Sequence, residues 1–85
     1  MQADKSQIVR LLRTARGQMD GIIKMVEDDR YCMDVSNQIM VSQAILTRAN
    51  KEILKAHIFH CVLNANGDQS KEKLQEINNL LEKLL

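Results

Sequence analysis

Apolar positions recur at helical spacing along three stretches of the chain. In the first, Ile8, Leu11, Leu12, Ala15, Met19, Ile22, Ile23 and Val26 line one side of a helix running from about Lys5 to Glu27. Asp4, followed three residues later by Gln7, supplies a start resembling a capping box. The helix is expected to end in the charged run Glu27, Asp28, Asp29, Arg30, although no Gly or Pro marks the break. From Cys32 to Leu63 nothing interrupts a second helix, which at 1.5 Å per residue would extend roughly 48 Å. Asn64, Ala65, Asn66, Gly67 and Asp68 form a stop. Ser70 is then placed to cap a third helix with Leu74, Ile77, Leu80, Leu81, Leu84 and Leu85 on its apolar side. The pattern predicts an all-α, three-helix subunit with a long central helix, in a single domain spanning 1–85.

The second helix departs from simple amphipathicity. Val35, Ile39, Met40, Val41, Ala44, Ile45, Leu46, Ala49, Ile53, Leu54, Ile58, Phe59 and Val62 spread beyond a single stripe, more than one neighbouring helix can cover. An 85-residue chain buries little of its unfolded surface on its own. Oligomerisation is therefore expected, with the first helix packed antiparallel on one side of the second and other subunits on the rest.

Composition adds to this picture. The chain has no Pro, three Gly, one Tyr, one Phe and no Trp, and it is rich in helix formers. No apolar run reaches the roughly 20 residues of a membrane span, and Met1 to Lys5 lacks the apolar core of a signal peptide, so a cytoplasmic protein is expected. The net charge is only +1. From Lys5 to Lys24, however, Lys5, Arg10, Arg13, Arg16 and Lys24 are set against Asp20 alone, which is either a mixed solvent face or a nucleic-acid footprint. An enzyme is disfavoured: there is no Gly-rich phosphate loop and no nucleophile, base and orienting group in one set.

Candidate chemistry rests on two cysteines and a histidine. In a reducing compartment the thiols are expected to be free, metal-binding or redox-sensing rather than a structural disulfide. His57 and Cys61, one helical turn apart, share a face and can share a metal ion. Cys32 lies roughly 37 Å from His57 along a continuous helix, too far to join the same ion within one chain. Two copies of the central helix packed antiparallel would set Cys32 of one opposite His57 and Cys61 of the other, with the two-fold axis near Ile45 and Leu46. Two thiolates and one imidazole suit Cu(I), whereas Zn(II) normally takes a fourth donor. The competing reading is a chance His-x-x-x-Cys pair with cysteines acting as small hydrophobes. Met19, Met25, Met33 and Met40 are assigned to packing, and His60 to the surface or the neighbourhood of the metal.

Three blocks, Arg10 to Gly21 (RLLRTARGQMDG), Arg30 to Val35 (RYCMDV) and Ala56 to Val62 (AHIFHCV), resemble the CsoR family of bacterial repressors in order and spacing, over nearly the whole chain. The resemblance implies an antiparallel dimer, assembled as a disc-like dimer of dimers. It implies that the metal-free protein binds operator DNA and that Cu(I) releases it, switching on copper-efflux genes. The copper ligands of the family match Cys32, His57 and Cys61. A Tyr and a Glu beside the metal match Tyr31 and Glu76, the latter with a one-residue shorter loop around Gly67. Arg10, Arg13, Arg16, Arg48 and Lys51 resemble the family's DNA and allosteric surface. Nickel and cobalt members use an N-terminal His and a His at the Cys61 position, and formaldehyde sensors an N-terminal Pro, all missing here. Persulfide sensors keep both cysteines and usually lack the His, so His57 favours copper while persulfide sensing through Cys32 and Cys61 stays open. A helical copper store is a further alternative that would not need the basic face.

Overall fold

A computed structural model describes residues 1–64 and 68–84 of the chain, the side chains at 61–64, 68–70, 81 and 84 lying outside the described set. The elements run α1 (Lys5–Glu27), α2 (Cys32–Asn64) and α3 (Asp68–Leu84), with no strand among the described residues. Asp4 caps α1: its Oδ1 accepts from the Ser6 amide at 3.0 Å, the Ser6 hydroxyl at 2.9 Å and the Gln7 amide at 3.4 Å. These satisfy donors that the first turn otherwise leaves unpaired. The hydrogen bonds, led by the Ser6 hydroxyl, hold the Asp4 carboxyl below its ordinary pKa.

α1 ends in a Schellman motif. The Arg30 amide donates to the Met25 carbonyl at 2.9 Å and the Asp29 amide to the Val26 carbonyl at 3.1 Å. Asp29 holds the left-handed conformation, φ 54°, that Gly usually occupies at this position. The break without Gly or Pro thus has its own chemistry, since Asp is among the few residues that visit this region routinely. The Tyr31 carbonyl then starts α2 by accepting from the Asp34 and Val35 amides at 3.0 and 3.2 Å.

α1 and α2 form an antiparallel helical hairpin, and α3 packs on α2 without reaching α1 among the described residues. Ala15 and Ala49 are buried at 0% and 2% exposure, and small side chains there let the two helices approach closely. The Ser42 hydroxyl, itself buried, donates to Gln18 Oε1 at 3.0 Å across the hairpin and sets its register. Two boundaries differ slightly from expectation. α2 runs through Asn64, and α3 starts at Asp68, so Ser70 falls in the first turn of α3 rather than before it. Leu85 and Ala65 to Gly67 lie outside the described residues.

The subunit is long and thin, 56 × 26 × 12 Å, with a radius of gyration of 17.1 Å. A globular chain of this length would measure about 12 Å. Among described residues the buried apolar set is Ile8, Ala15, Ala49 and Ile77. Ile39, Val41 and Leu46 on α2 and Leu12, Ile23 and Val26 on α1 stay exposed within the subunit. The methionines assigned to packing are exposed here too: Met19 at 44%, Met33 at 53% and Met40 at 61%. Met33 and Met40 thus leave more than half of their surface for contacts outside the subunit.

Candidate metal centre

Each candidate ligand sits on α2, and the helix decides which of them meet. Cys32 is its first residue and is exposed. His57 is exposed near the other end, with Cys61 one turn further on; the Cys61 side chain lies outside the described residues. The α-helix is unbroken from Cys32 through Asn64, so Cys32 and His57 are held roughly 37 Å apart along it. Among the described residues of one subunit, no three His, Cys, Asp or Glu side chains converge on a common point. At 100° per residue, however, Cys32, His57 and Cys61 fall within about 40° of one another around α2. They share a stripe with the exposed apolar residues Ile39 and Leu46 and with the exposed polar residues Ser36, Gln43 and Asn50. The donor set, two soft sulfurs and one imidazole nitrogen, fits Cu(I), and of the described side chains Cys32 and His57 are exposed on this face.

Tyr31 is 66% exposed immediately before Cys32. Glu76 is exposed on α3 beside buried Ile77, on the helix that packs against α2. His60 is exposed, and both His57 and His60 make interactions within the subunit.

Alongside this stripe runs an apolar groove of about 330 Å³ between α1 and α2, lined by Met19, Ile22, Ile23, Ile39 and Leu46, with Ser42 and Gln43 at its floor and rim.

All five basic candidates are exposed, but they divide into two patches. Arg13 precedes buried Ala15 by two residues and so points away from α2. With Lys5 and Arg10 it borders a shallow groove on the outer side of α1. Arg16 lies on the flank of the same helix. Lys51 follows buried Ala49 by two residues, so it and Arg48 border a separate groove on the side of α2 remote from α1. Sequence reasoning missed Lys55, which is exposed and continues the Arg48 and Lys51 row at helical spacing. Its i, i+3, i+7 placement was the available signal.

A family model described as "Metal-sensitive transcriptional repressor" matches residues 4–83. The chain belongs to that family. The family is regulatory rather than enzymatic. The copper-sensing transcriptional repressor CsoR of Mycobacterium tuberculosis is 41% identical over 76 residues, covering 85% of this chain and 64% of that protein. The chain thus spans just under two thirds of the length of the mycobacterial CsoR relatives. The protein of the same name from Bacillus subtilis is 37% identical over 78 residues, 87% of this chain and 77% of the relative. Among solved structures, the nickel-responsive transcriptional regulator InrS superposes with a TM-score of 0.80 at 26% identity, over 100% of this chain and 97% of that one. No helix among the described residues is long and apolar enough to cross a membrane.

Proposed function

We propose that this chain is a Cu(I)-responsive transcriptional repressor that binds operator DNA when metal-free and lets go when Cu(I) binds, derepressing copper-efflux genes. One observation carries the reading: the candidate ligands stand at opposite ends of a single continuous helix whose intervening face mixes apolar residues (Ile39, Leu46, Ile53) with polar ones and is largely uncovered within the subunit. Two copies of α2 packed antiparallel cover that face and bring Cys32 of one copy to His57 and Cys61 of the other, giving two equivalent sites per dimer. The assignment to copper is supported by the donor set and by relatives named as copper-sensing. InrS, named as nickel-responsive, shares the fold, so the fold by itself does not select the metal.

Cys32 and Cys61 would hold the ion as thiolates and His57 through a ring nitrogen, with Tyr31 and Glu76 orienting the imidazole. Bound Cu(I) supplies a link between helix ends of two subunits. With His57 as a ligand, the relation of the two α2 helices would be fixed. The exposed arginines of α1 and the Arg48 and Lys51 row supply phosphate contacts, few per subunit but multiplied in a dimer of dimers. Regulation follows if the DNA-binding arrangement of these patches differs from the metal-bound one.

The test is a DNA-binding titration of the reduced protein with Cu(I) and, separately, with a persulfide donor. Release by Cu(I) alone supports the proposal. Release by the persulfide donor alone would transfer the function to thiol chemistry at Cys32 and Cys61, and DNA binding unaffected by either would leave a copper-binding protein without a regulatory role.

A further inference from the structure

The subunit measures 12 Å across its thinnest dimension, about the width of one helix, so its helices form a single layer with two open faces. The ligand stripe of α2 lies on one of these faces. α1 carries a second stripe there: Val9, Leu12, Arg16, Met19, Ile23 and Val26, spaced alternately three and four residues and all exposed within the subunit. The two stripes share a face because Met19 and Ile23 line one groove with Ile39 and Leu46. Arg16 is the one charge among five apolar residues, and Asp20 follows it one turn on.

Arg16 also marks the centre of α1. It is the middle residue of Lys5–Glu27, and the antiparallel hairpin, registered by the Gln18 to Ser42 hydrogen bond at 3.0 Å, sets it level with Ala44. With Cys32 level with His57 of a second copy, the two-fold axis of the proposed centre passes midway between them, level with Ala44 and Ile45. A two-fold axis that lays α2 face to face on α2 of the second copy lays α1 on α1 as well. Because that axis crosses α1 at its middle, the two α1 helices overlap over their whole length. The ligand positions and the length of α1 thus arrive independently at one axis. Leu12 is then level with Met19 of the second copy, and the two Arg16 residues stand about 1.5 Å apart along the helix direction.

Two like charges inside an apolar seam are costly unless each meets a counter-charge. Asp20 supplies it, from the other chain. Asp20 of the second copy lies about 7.5 Å from Arg16 along the helix direction. Side chains on a helix lean toward its N-terminus, so in antiparallel neighbours Arg16 and Asp20 of the second copy lean toward each other. Within one chain Arg16 leans away from Asp20, the weaker order for a charge pair one turn apart. We infer that Arg16 belongs to the interface between copies, where it pairs with Asp20 of the second copy, twice about the two-fold axis, and does not contact phosphate. The inference rests on the proposed cross-subunit centre and narrows its DNA surface: Arg10 and Arg13 remain as the arginines of α1 that reach phosphate.

Charge reversal in the full-length, metal-free protein reads the pairing directly. Arg16→Asp sets only carboxylates about the axis and Asp20→Arg only guanidiniums, so each protein alone associates weakly. Mixed in equal amounts, they restore both Arg–Asp pairs of a heterodimer, whose dissociation constant should lie at least about tenfold below that of either parent. The mixture then unfolds at higher urea than either protein alone, and gains helicity even where a parent does not fold. Arg10→Asp mixed with Asp20→Arg carries the same net charges and shows no rescue, because Arg10 lies off the stripe. Replacing both partners, Arg16→Met with Asp20→Leu, removes the charges without orphaning either. That protein should bind operator DNA with the native salt slope across an anisotropy series, whereas a lost phosphate contact makes the slope shallower by about one per phosphate. A mixture no more stable than its parents, or a shallower slope in the doubly apolar variant, overturns the inference. Failure of the proposed function looks different: rescue and slope are as expected, but the native protein binds no Cu(I).

Discussion

Cys32 and His57 occupy the same stripe of one continuous helix and are held roughly 37 Å apart by it. A rigid spacer of this kind makes a shared site impossible within a subunit and natural between two antiparallel ones. Cys32→Ala and His57→Ala proteins should each bind Cu(I) without a complete trigonal site. Mixed and allowed to exchange subunits, they should regain one intact site per heterodimer, because one copy still supplies Cys32 and the other supplies both His57 and Cys61. X-ray absorption of the mixture checks this; two-sulfur coordination unchanged from the separate variants would count against the antiparallel arrangement.

The two basic patches lie on opposite sides of the α1 and α2 pair, so their contributions to DNA affinity are separable. Arg13→Ala and Lys51→Ala should each weaken operator binding and make its salt dependence shallower, by about one unit of slope for each phosphate no longer neutralised per oligomer. Cu(I) affinity of the metal-binding state should be retained. A patch whose substitution leaves the salt slope unchanged in fluorescence anisotropy does not touch phosphate.

The turn between α1 and α2 contains a residue under conformational strain. Asp29→Gly relieves the left-handed conformation at φ 54° and should raise the stability of the folded protein by about 0.5–1 kcal/mol, read as a higher denaturant midpoint with unchanged slope. A lower midpoint would mean that the Asp29 side chain makes a compensating interaction elsewhere in the assembly.

Asp4 gives the N-terminus of α1 a pH dependence of known sign. Its carboxyl has a lower pKa folded than unfolded, so its stabilisation is complete above the unfolded value, near 3.9, and is lost as pH falls through the depressed folded value. Amide protection at Ser6 and Gln7 should therefore hold down to about pH 4 and fall below it. Asp4→Asn, which keeps an acceptor but does not titrate, should remove that acid-side loss. Equal acid-side loss in both proteins would assign it to other groups.

Much of the fold is legible in the sequence because helix periodicity is a local property. Ile8 to Val26 mark α1 by their spacing, and the absence of any breaker between Cys32 and Leu63 gives α2 its length. The Asp29 turn is harder to see, since its signal is the tolerance of Asp for a conformation usually reserved for Gly. The Gln18 to Ser42 hydrogen bond joins residues far apart in the chain and has no local signature. At the candidate centre, the His57 and Cys61 pair follows from helical spacing, while the role proposed for Cys32 rests on a second copy of the chain, which no local pattern specifies. The split of the basic residues into two patches emerges only when buried Ala15 and Ala49 show which side of each helix is covered. The exposed methionines carry the same lesson: their spacing indicates packing but not whether the partner is the same chain or another.

The central claim is that the three-donor site is coupled to DNA binding, and linkage makes that coupling measurable. Operator affinity should be determined by anisotropy at fixed salt for the native protein and for His57→Ala, each metal-free and loaded with Cu(I). Cu(I) should lower native operator affinity by roughly 5- to 150-fold, the range of ordinary allosteric coupling, while His57→Ala still takes up Cu(I) on its thiolates yet stays on the DNA. Native protein that keeps its operator when loaded, or a His57→Ala variant that releases as readily as the native protein, would contradict it.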